Sequence, residues 1–174
     1  MLYLFLQYKY HLYSPESCPV RLKAIFKQID VELHWHRTAR LWVNGWSEKV
    51  SLHEHHWRDE ATAMLISSPE QAILELLMSV PEELNFEHAE QLMQGLTQLS
   101  PRKLDGLLLD CKNVKVKRLF FYLADRFNYP WRRKLSVNDY NLGAGKRVVA
   151  VGGKLDTRYN ITVPKSFSGE QVHG

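Results

Sequence analysis

Long apolar runs are missing from this chain. No stretch of its 174 residues approaches the roughly 20 that a membrane-spanning helix needs. The apolar start MLYLFLQY is too short for a signal peptide and lacks a basic flank, so it reads as a buried strand. Cysteine is scarce. Cys18 and Cys111 stand far apart with no CxxC pairing, which suits a reducing cytoplasm and offers no disulfide framework. Repeats, low-complexity tracts and Gly/Ser linkers are absent as well, so one globular unit is expected, large enough to bury a core unaided. The signatures of nucleotide and catalytic sites also fail. Gly145–Lys146 is followed by Arg147 instead of a hydroxyl residue, and the early glycine of a Walker loop is Tyr140. After Gly143 and Gly145, the third glycine of a dinucleotide fingerprint is Val148. Neither GxSxG nor HExxH occurs, and Ser14, Ser68 and Ser100 all precede prolines, as turn or cap residues do. The chain is therefore read as no enzyme, with no cofactor and no metal.

Charge is present, but unevenly. Residues 1–100 hold 8 Lys/Arg against 13 Asp/Glu, a net of −5, whereas residues 101–174 hold 15 against 6, a net of +9. A half with that potential favours a polyanionic partner, DNA or RNA. The pattern along the chain predicts an α+β unit. Residues 1–66 form a mixed α/β portion. Within it PVRLKAIFKQI is a short helix, VELHWHRT alternates as a half-buried strand, and KVSLHEHHW and TAMLIS are further strands. Residues 67–165 form a helical middle of about four helices and a C-terminal β-hairpin, and residues 166–174 a flexible tail. Helices start at Ser68–Pro69 and Ser100–Pro101, and two more lie in FEHAEQLMQGL and CKNVKVKRLFFYLADRF, each with one apolar stripe, that of FEHAEQLMQGL being Ala89, Leu92, Met93 and Leu96. The hairpin is assigned to RVVAV and RYNITV, separated by Gly152–Gly153. Glycines 143 and 145 are taken to permit positive φ at tight turns.

Two constellations stand out. In CKNVKVKRLFFYLADRF, Lys112, Lys115, Arg118, Tyr122 and Arg126 follow one side of a helix, Lys117 flanks them, and no acid interrupts the row. Oppositely charged i, i+4 neighbours would stabilise a helix, so a row of one sign points to an external anion. Lys146 and Arg147 would add to it from the hairpin's end. These seven basic residues are the candidate nucleic-acid contacts, and charge reversal at Lys115 and Arg118 is expected to weaken binding and leave the fold intact. The second constellation is histidine-rich. His34 and His36 share a strand face with Glu32, and a neighbouring strand could add His55. Zinc sites use such ligands, but no known ligand spacing is present, so half-exposed strand histidines are the simpler reading.

The block SPEQAILELL, the string VKVKRLFF and the ending GKRVVAVGGKLDTRYNITVP, in that order between about residues 60 and 165, resemble the C-terminal domain of the AbiEi antitoxins. A weaker similarity, including LHWHRTARLW, extends through the mixed portion. These proteins belong to type IV toxin–antitoxin systems, linked to abortive infection and phage defence. The resemblance implies a transcriptional regulator whose N-terminal winged helix-turn-helix binds DNA repeats in its own promoter. It also implies a C-terminal domain that counters a nucleotidyltransferase-like toxin without a stable complex. The first 60 residues lack the helix, turn, helix and wing pattern, so a chain without the winged domain is expected, with antitoxin function retained. Two alternatives belong to other classes: a protein-interaction module that grips the toxin through the helical middle, and a small metal-dependent nuclease built on the His/Glu cluster.

Overall fold

The computed structural model describes residues 9–29, 31–43, 52–56 and 63–167. The segment 1–8, read above as a buried strand, lies outside them, as do residues 168–174 of the tail. The fold is mixed α+β. In the N-terminal portion, β1 (Lys9–Ser14), α1 (Val20–Gln28) and β2 (Glu32–Arg37) form a βαβ unit with the two strands parallel. Pro19 supplies the extended N-cap residue before α1 and has no amide of its own to satisfy. Next, β3 (Leu52–His56) pairs antiparallel with β4 (Ala63–Ser67), as the two expected strands allow.

The helical middle holds α2 (Pro69–Met78), α3 (Phe86–Gly95), α4 (Pro101–Asp110) and α5 (Val114–Ala124). Their starts are locally encoded. The side chains of Ser68, Asn85, Ser100 and Asn113 each accept the amide of the third residue on, which satisfies an otherwise orphaned donor. Proline occupies the first turn of α2 and α4. The expected stripes are inside: Ile73, Leu77 and Val80; Ala89 and Met93; Leu104, Leu107, Leu108 and Cys111; Val116, Leu119, Phe120 and Leu123. Leu92, placed in the α3 stripe, is exposed instead.

Helix α5 differs from the expectation of one apolar side and one basic side. Every residue from Val116 to Ala124 is buried. It is the central helix, packed on α2, α3 and the C-terminal strand Ile161–Val163. A helix surrounded by protein has no solvent face for a polar row to occupy. The N-terminal portion joins this core where Trp42 bridges Cys111 and the Lys112 amide donates to Leu41 O at 2.9 Å.

The C-terminal hairpin is present but shifted. Strand β5 (Lys154–Asp156) pairs antiparallel with β6 (Ile161–Val163), in place of RVVAV. Residues 147–150 run along the other side of β6, through Arg147 N to Asn160 O at 2.8 Å, Thr162 N to Arg147 O at 3.0 Å and Ala150 N to Thr162 O at 3.0 Å. Gly153 sits between these segments, and a Cβ there would stand 2.2 Å from Val163 O. That close approach admits only glycine. Residues 166 and 167 of the segment expected as a tail belong to a 3-10 turn, Lys165–Phe167. Phe167 is buried, stacks edge-on with Phe86, and its carbonyl accepts from Tyr122 Oη at 2.9 Å.

Candidate functional site

The seven basic candidates separate into two groups. Lys115, Lys117, Arg118 and Arg126 are turned into the structure, which corrects the expectation of a solvent-facing row. Lys115 Nζ donates to Met78 O at 2.9 Å and Val80 O at 2.5 Å, and lies 3.7 Å from Glu82. It thus caps the C-terminus of α2, where carbonyls without partners and the negative end of the helix dipole favour a cation. Burial lowers its pKa, against the opposing pull of Glu82. Lys117 is 5% exposed beside Cys111, and its pKa is likewise lowered by burial.

Arg118, 2% exposed, uses its guanidinium as a four-point clamp. Nε donates to Leu142 O at 2.7 Å, Nη1 to Gly145 O at 2.7 Å and Asn160 O at 3.0 Å, and Nη2 to Gly143 O at 3.0 Å. A buried cation is tolerated here because its donors are taken up by carbonyl dipoles. Charge reversal at Arg118 would set a carboxylate against four carbonyl oxygens, so the fold would not survive it as the sequence suggested. Arg126 pairs with Glu90 and donates from Nη1 to Phe167 O at 3.2 Å. Tyr122, fourth in the row, is the core residue bonded to Phe167. The same region holds a second buried polar centre at Asp125. Its Oδ1 lies 2.7 Å from Arg132 Nε, its Oδ2 lies 2.8 Å from Arg158 Nη1, and Tyr159 Oη donates to Oδ2.

Lys112, Lys146 and Arg147 remain at the surface. The loop clamped by Arg118 leads directly into Lys146–Arg147. It turns through Gly143 (φ 65°) and Gly145 (φ 73°), the left-handed geometry expected of those glycines. It also packs on the start of α5, where a Cβ at Gly143 would stand 3.1 Å from Val114 Cγ2. Lys112 lies two residues before Val114. Arg118 therefore holds the loop from which Lys146 and Arg147 project.

The histidine constellation is assembled differently from the expectation. His34 and His36 do share a face of β2, and Glu32 Oε1 lies 2.7 Å from His34 Nε2. The third histidine is His11 of β1, directly opposite His34 in the parallel register. The side chain of His55 lies outside the described residues. The rings of His11 and His34 stack with centroids 4.7 Å apart, and Tyr13 stacks on His36. His11 Nδ1 is 2.9 Å from His36 Nε2, and Glu83 Oε2, from the α2–α3 connection, is 3.2 Å from His34 Nδ1. Burial, the largest influence, lowers the pKa of His36, and Glu83 opposes it. Burial also pushes the Tyr13 phenol up, reinforced by Glu75 and Glu83. A cavity of about 450 Å³ opens alongside, lined by His11, Tyr13, Glu83, His88 and three leucines. Sequence reasoning missed His11, Tyr13 and Glu83. The alternation His11-x-Tyr13 matches the period of His34-x-His36, but pairing the two needs the parallel register.

Among the described residues no helix is long and apolar enough to cross a membrane. No curated protein and no solved structure matches the chain. Residues 8–164 match the family model described as a transcriptional regulator, AbiEi antitoxin, type IV TA system.

Proposed function

The chain belongs to the AbiEi antitoxin family of type IV toxin–antitoxin transcriptional regulators, and from that premise we propose that it counters a nucleotidyltransferase-like toxin in the cytoplasm. It does so without catalysis of its own, and it meets the phosphate backbone of DNA or RNA through its exposed basic loop. The observation that carries the nucleic-acid part is the division of labour around Arg118. The clamp spends the buried guanidinium on loop carbonyls, and the loop presents Lys146 and Arg147 to solvent, where Lys112 is exposed as well. Phosphate contact needs only exposed cations held in register, and gives no sequence discrimination by itself. Of the buried members of the original row, Arg118 supports the loop, and none of them touches the ligand.

The test is growth rescue. The neighbouring toxin gene is induced with and without this chain, and colonies are counted. Rescue is the expected result, and it should disappear in the Lys146→Glu/Arg147→Glu double variant while the protein stays folded. Absence of rescue by soluble, folded wild-type chain would overturn the antitoxin reading. Co-purification of a stable complex with the toxin would replace the nucleic-acid route by direct protein interaction.

A further inference from the structure

We propose that the cleft between α1 and β2 binds a nucleoside triphosphate, with the base stacked on Trp35 and Phe26 and the phosphates on Lys23 and Lys27. The inference is independent of the antitoxin reading and of the loop at Lys146. Its basis is incomplete packing in the βαβ unit. A crossover helix ordinarily buries its apolar stripe on the strands it joins. Here α1 has no buried residue, although Leu22, Ile25, Phe26 and Ile29 recur at helical spacing. Across from it Val31 and, in β2, Leu33 and Trp35 are only partly buried. Between the two lies a cavity of about 410 Å³, a volume typical of small-molecule sites.

The walls of this cavity are of two kinds. Phe26, Leu33 and Trp35 supply an apolar and aromatic surface, and Lys23 and Lys27 supply positive charge at its exposed edge. Both rings are held before any ligand arrives. Trp35 Nε1 donates to Glu16 O at 2.9 Å, and Phe26 packs edge-on against Tyr10 with centroids 6.1 Å apart. Such preorganisation lowers the cost of binding. Lys23 and Lys27 are four positions apart on α1, hence neighbours on one face of the helix, and can share one polyphosphate as point charges. Glu32 is the only acid lining the cavity, and its Oε1 is engaged 2.7 Å from His34 Nε2. Charge and rings together select the ligand. A fatty-acid anion brings a single charge to two ammonium groups and has no ring to stack. A nucleoside triphosphate brings several negative charges and a π-face, and stacking of a base on an aromatic side chain is indifferent to which base it is.

The 174-residue chain is titrated by calorimetry with ATP in the presence of chelator, and in parallel with inorganic triphosphate, with laurate and with a short single-stranded RNA. One ATP per chain is expected, with a Tm that rises with ATP concentration and an affinity that falls as salt is added. Inorganic triphosphate, which has no base, should bind at least about 5-fold more weakly. Lys23→Gln/Lys27→Gln changes two exposed helix positions to another good helix former. It should leave the ligand-free Tm unchanged and weaken ATP binding about tenfold or more. Trp35→Leu keeps an apolar side chain and removes the ring, and should weaken ATP binding about 5- to 100-fold. The lysine variant decides the matter if Trp35→Leu does not fold. Absence of saturable ATP binding overturns the proposal, as does ATP binding undiminished in Lys23→Gln/Lys27→Gln. Equal affinity for inorganic triphosphate overturns it by removing the base from the site. Tighter binding of laurate would assign the cleft to an acyl anion, and binding of the RNA without ATP would assign it to a single strand. Loss of ATP binding in Lys146→Glu/Arg147→Glu, with Lys23→Gln/Lys27→Gln unaffected, would place the nucleotide on the other loop.

Discussion

Arg118 and Arg147 carry the same guanidinium and lie in the same basic half of the chain, yet one is an interior strut and the other a surface charge. The difference comes from what is laid over each. Arg118 starts on the side of α5 away from the leucine and phenylalanine stripe. The loop at residues 142–145 and the turn at Asn160 then cover that side with backbone carbonyls. Arg147 belongs to the covering layer itself. Its backbone is bonded to Asn160 and Thr162, and its side chain faces out. A run of basic residues is therefore not by itself a ligand-binding surface. Buried arginines can satisfy carbonyls that no helix or sheet ladder reaches, and a protein with many irregular turns has many such carbonyls to satisfy.

The largest expected effect comes from breaking the strut. Arg118→Ala leaves four carbonyls without their donor and a void beside Leu119. Hydrogen bonds to charged groups are worth about 1.5–3 kcal/mol each and do not add fully. A loss of about 3 kcal/mol or more is expected, read as a fall in the urea midpoint of roughly 1 M or more. A loss within about 0.5 kcal/mol, the range of surface substitutions, would show that the guanidinium is not the clamp. The second effect concerns the other buried centre. Tyr159 is 1% exposed, and burial, reinforced by the bond to Asp125, pushes its phenol up to about 12. Cys111 is pushed up by burial to about 11. Between pH 10 and 12 the unfolded chain loses the Tyr159 proton while the folded chain keeps it. The unfolded state then binds fewer protons, and stability falls as pH rises. About 2–3 kcal/mol is expected from Tyr159 over that window, with the Cys111 contribution beginning near pH 9. Denaturant midpoints measured from pH 8 to 12 check this. Substitution by phenylalanine at Tyr159 should flatten the upper part of the profile.

The same comparison explains how much was legible beforehand. Helix starts were readable because Ser68–Pro69 and Ser100–Pro101 act on amides two or three residues away. Apolar stripes were readable because burial of leucine on one side of a helix needs no knowledge of its neighbour's sequence. The environment of α5 was not, because the groups that bury Arg118 come from residues 24 to 42 positions further on. The strand RVVAV was misplaced for a related reason. β-branched composition marks an extended segment, but which segment pairs with Ile161–Val163 depends on the turn at Gly152–Gly153 and on the contact of Gly153 with Val163 O. The histidine group was half legible. Glu32, His34 and His36 share a face by period alone, whereas Glu83 lies 49 positions from His34.

At the surface the expected effects are smaller and of another kind. The Lys146→Glu/Arg147→Glu double variant should keep its stability within about 0.5 kcal/mol and lose about tenfold or more in nucleic-acid affinity. The slope of log affinity against log salt should fall by about one for each phosphate contact removed. Filter binding to a short duplex and to single-stranded RNA, at several salt concentrations, measures both. Unchanged affinity would move the contact off this loop. Equal loss of stability in this variant and in Arg118→Ala would erase the distinction between strut and surface.

The finest test separates the loop's shape from its charge. Gly145 has φ 73° and open space around its Cα, so a Cβ meets nothing within 4 Å. Gly145→Ala therefore introduces no clash and costs only the left-handed conformation, about 1 kcal/mol. Arg118 still holds the Gly145 carbonyl in place at 2.7 Å, so the loop is over-determined and should keep its path. Stability should fall by that amount while nucleic-acid affinity stays within a factor of two of wild type. A larger loss of affinity than of stability would mean that the clamp tolerates a shifted loop. Lys146 and Arg147 would then be positioned by the left-handed turn at Gly145 itself, and the strut would hold only the fold beneath them.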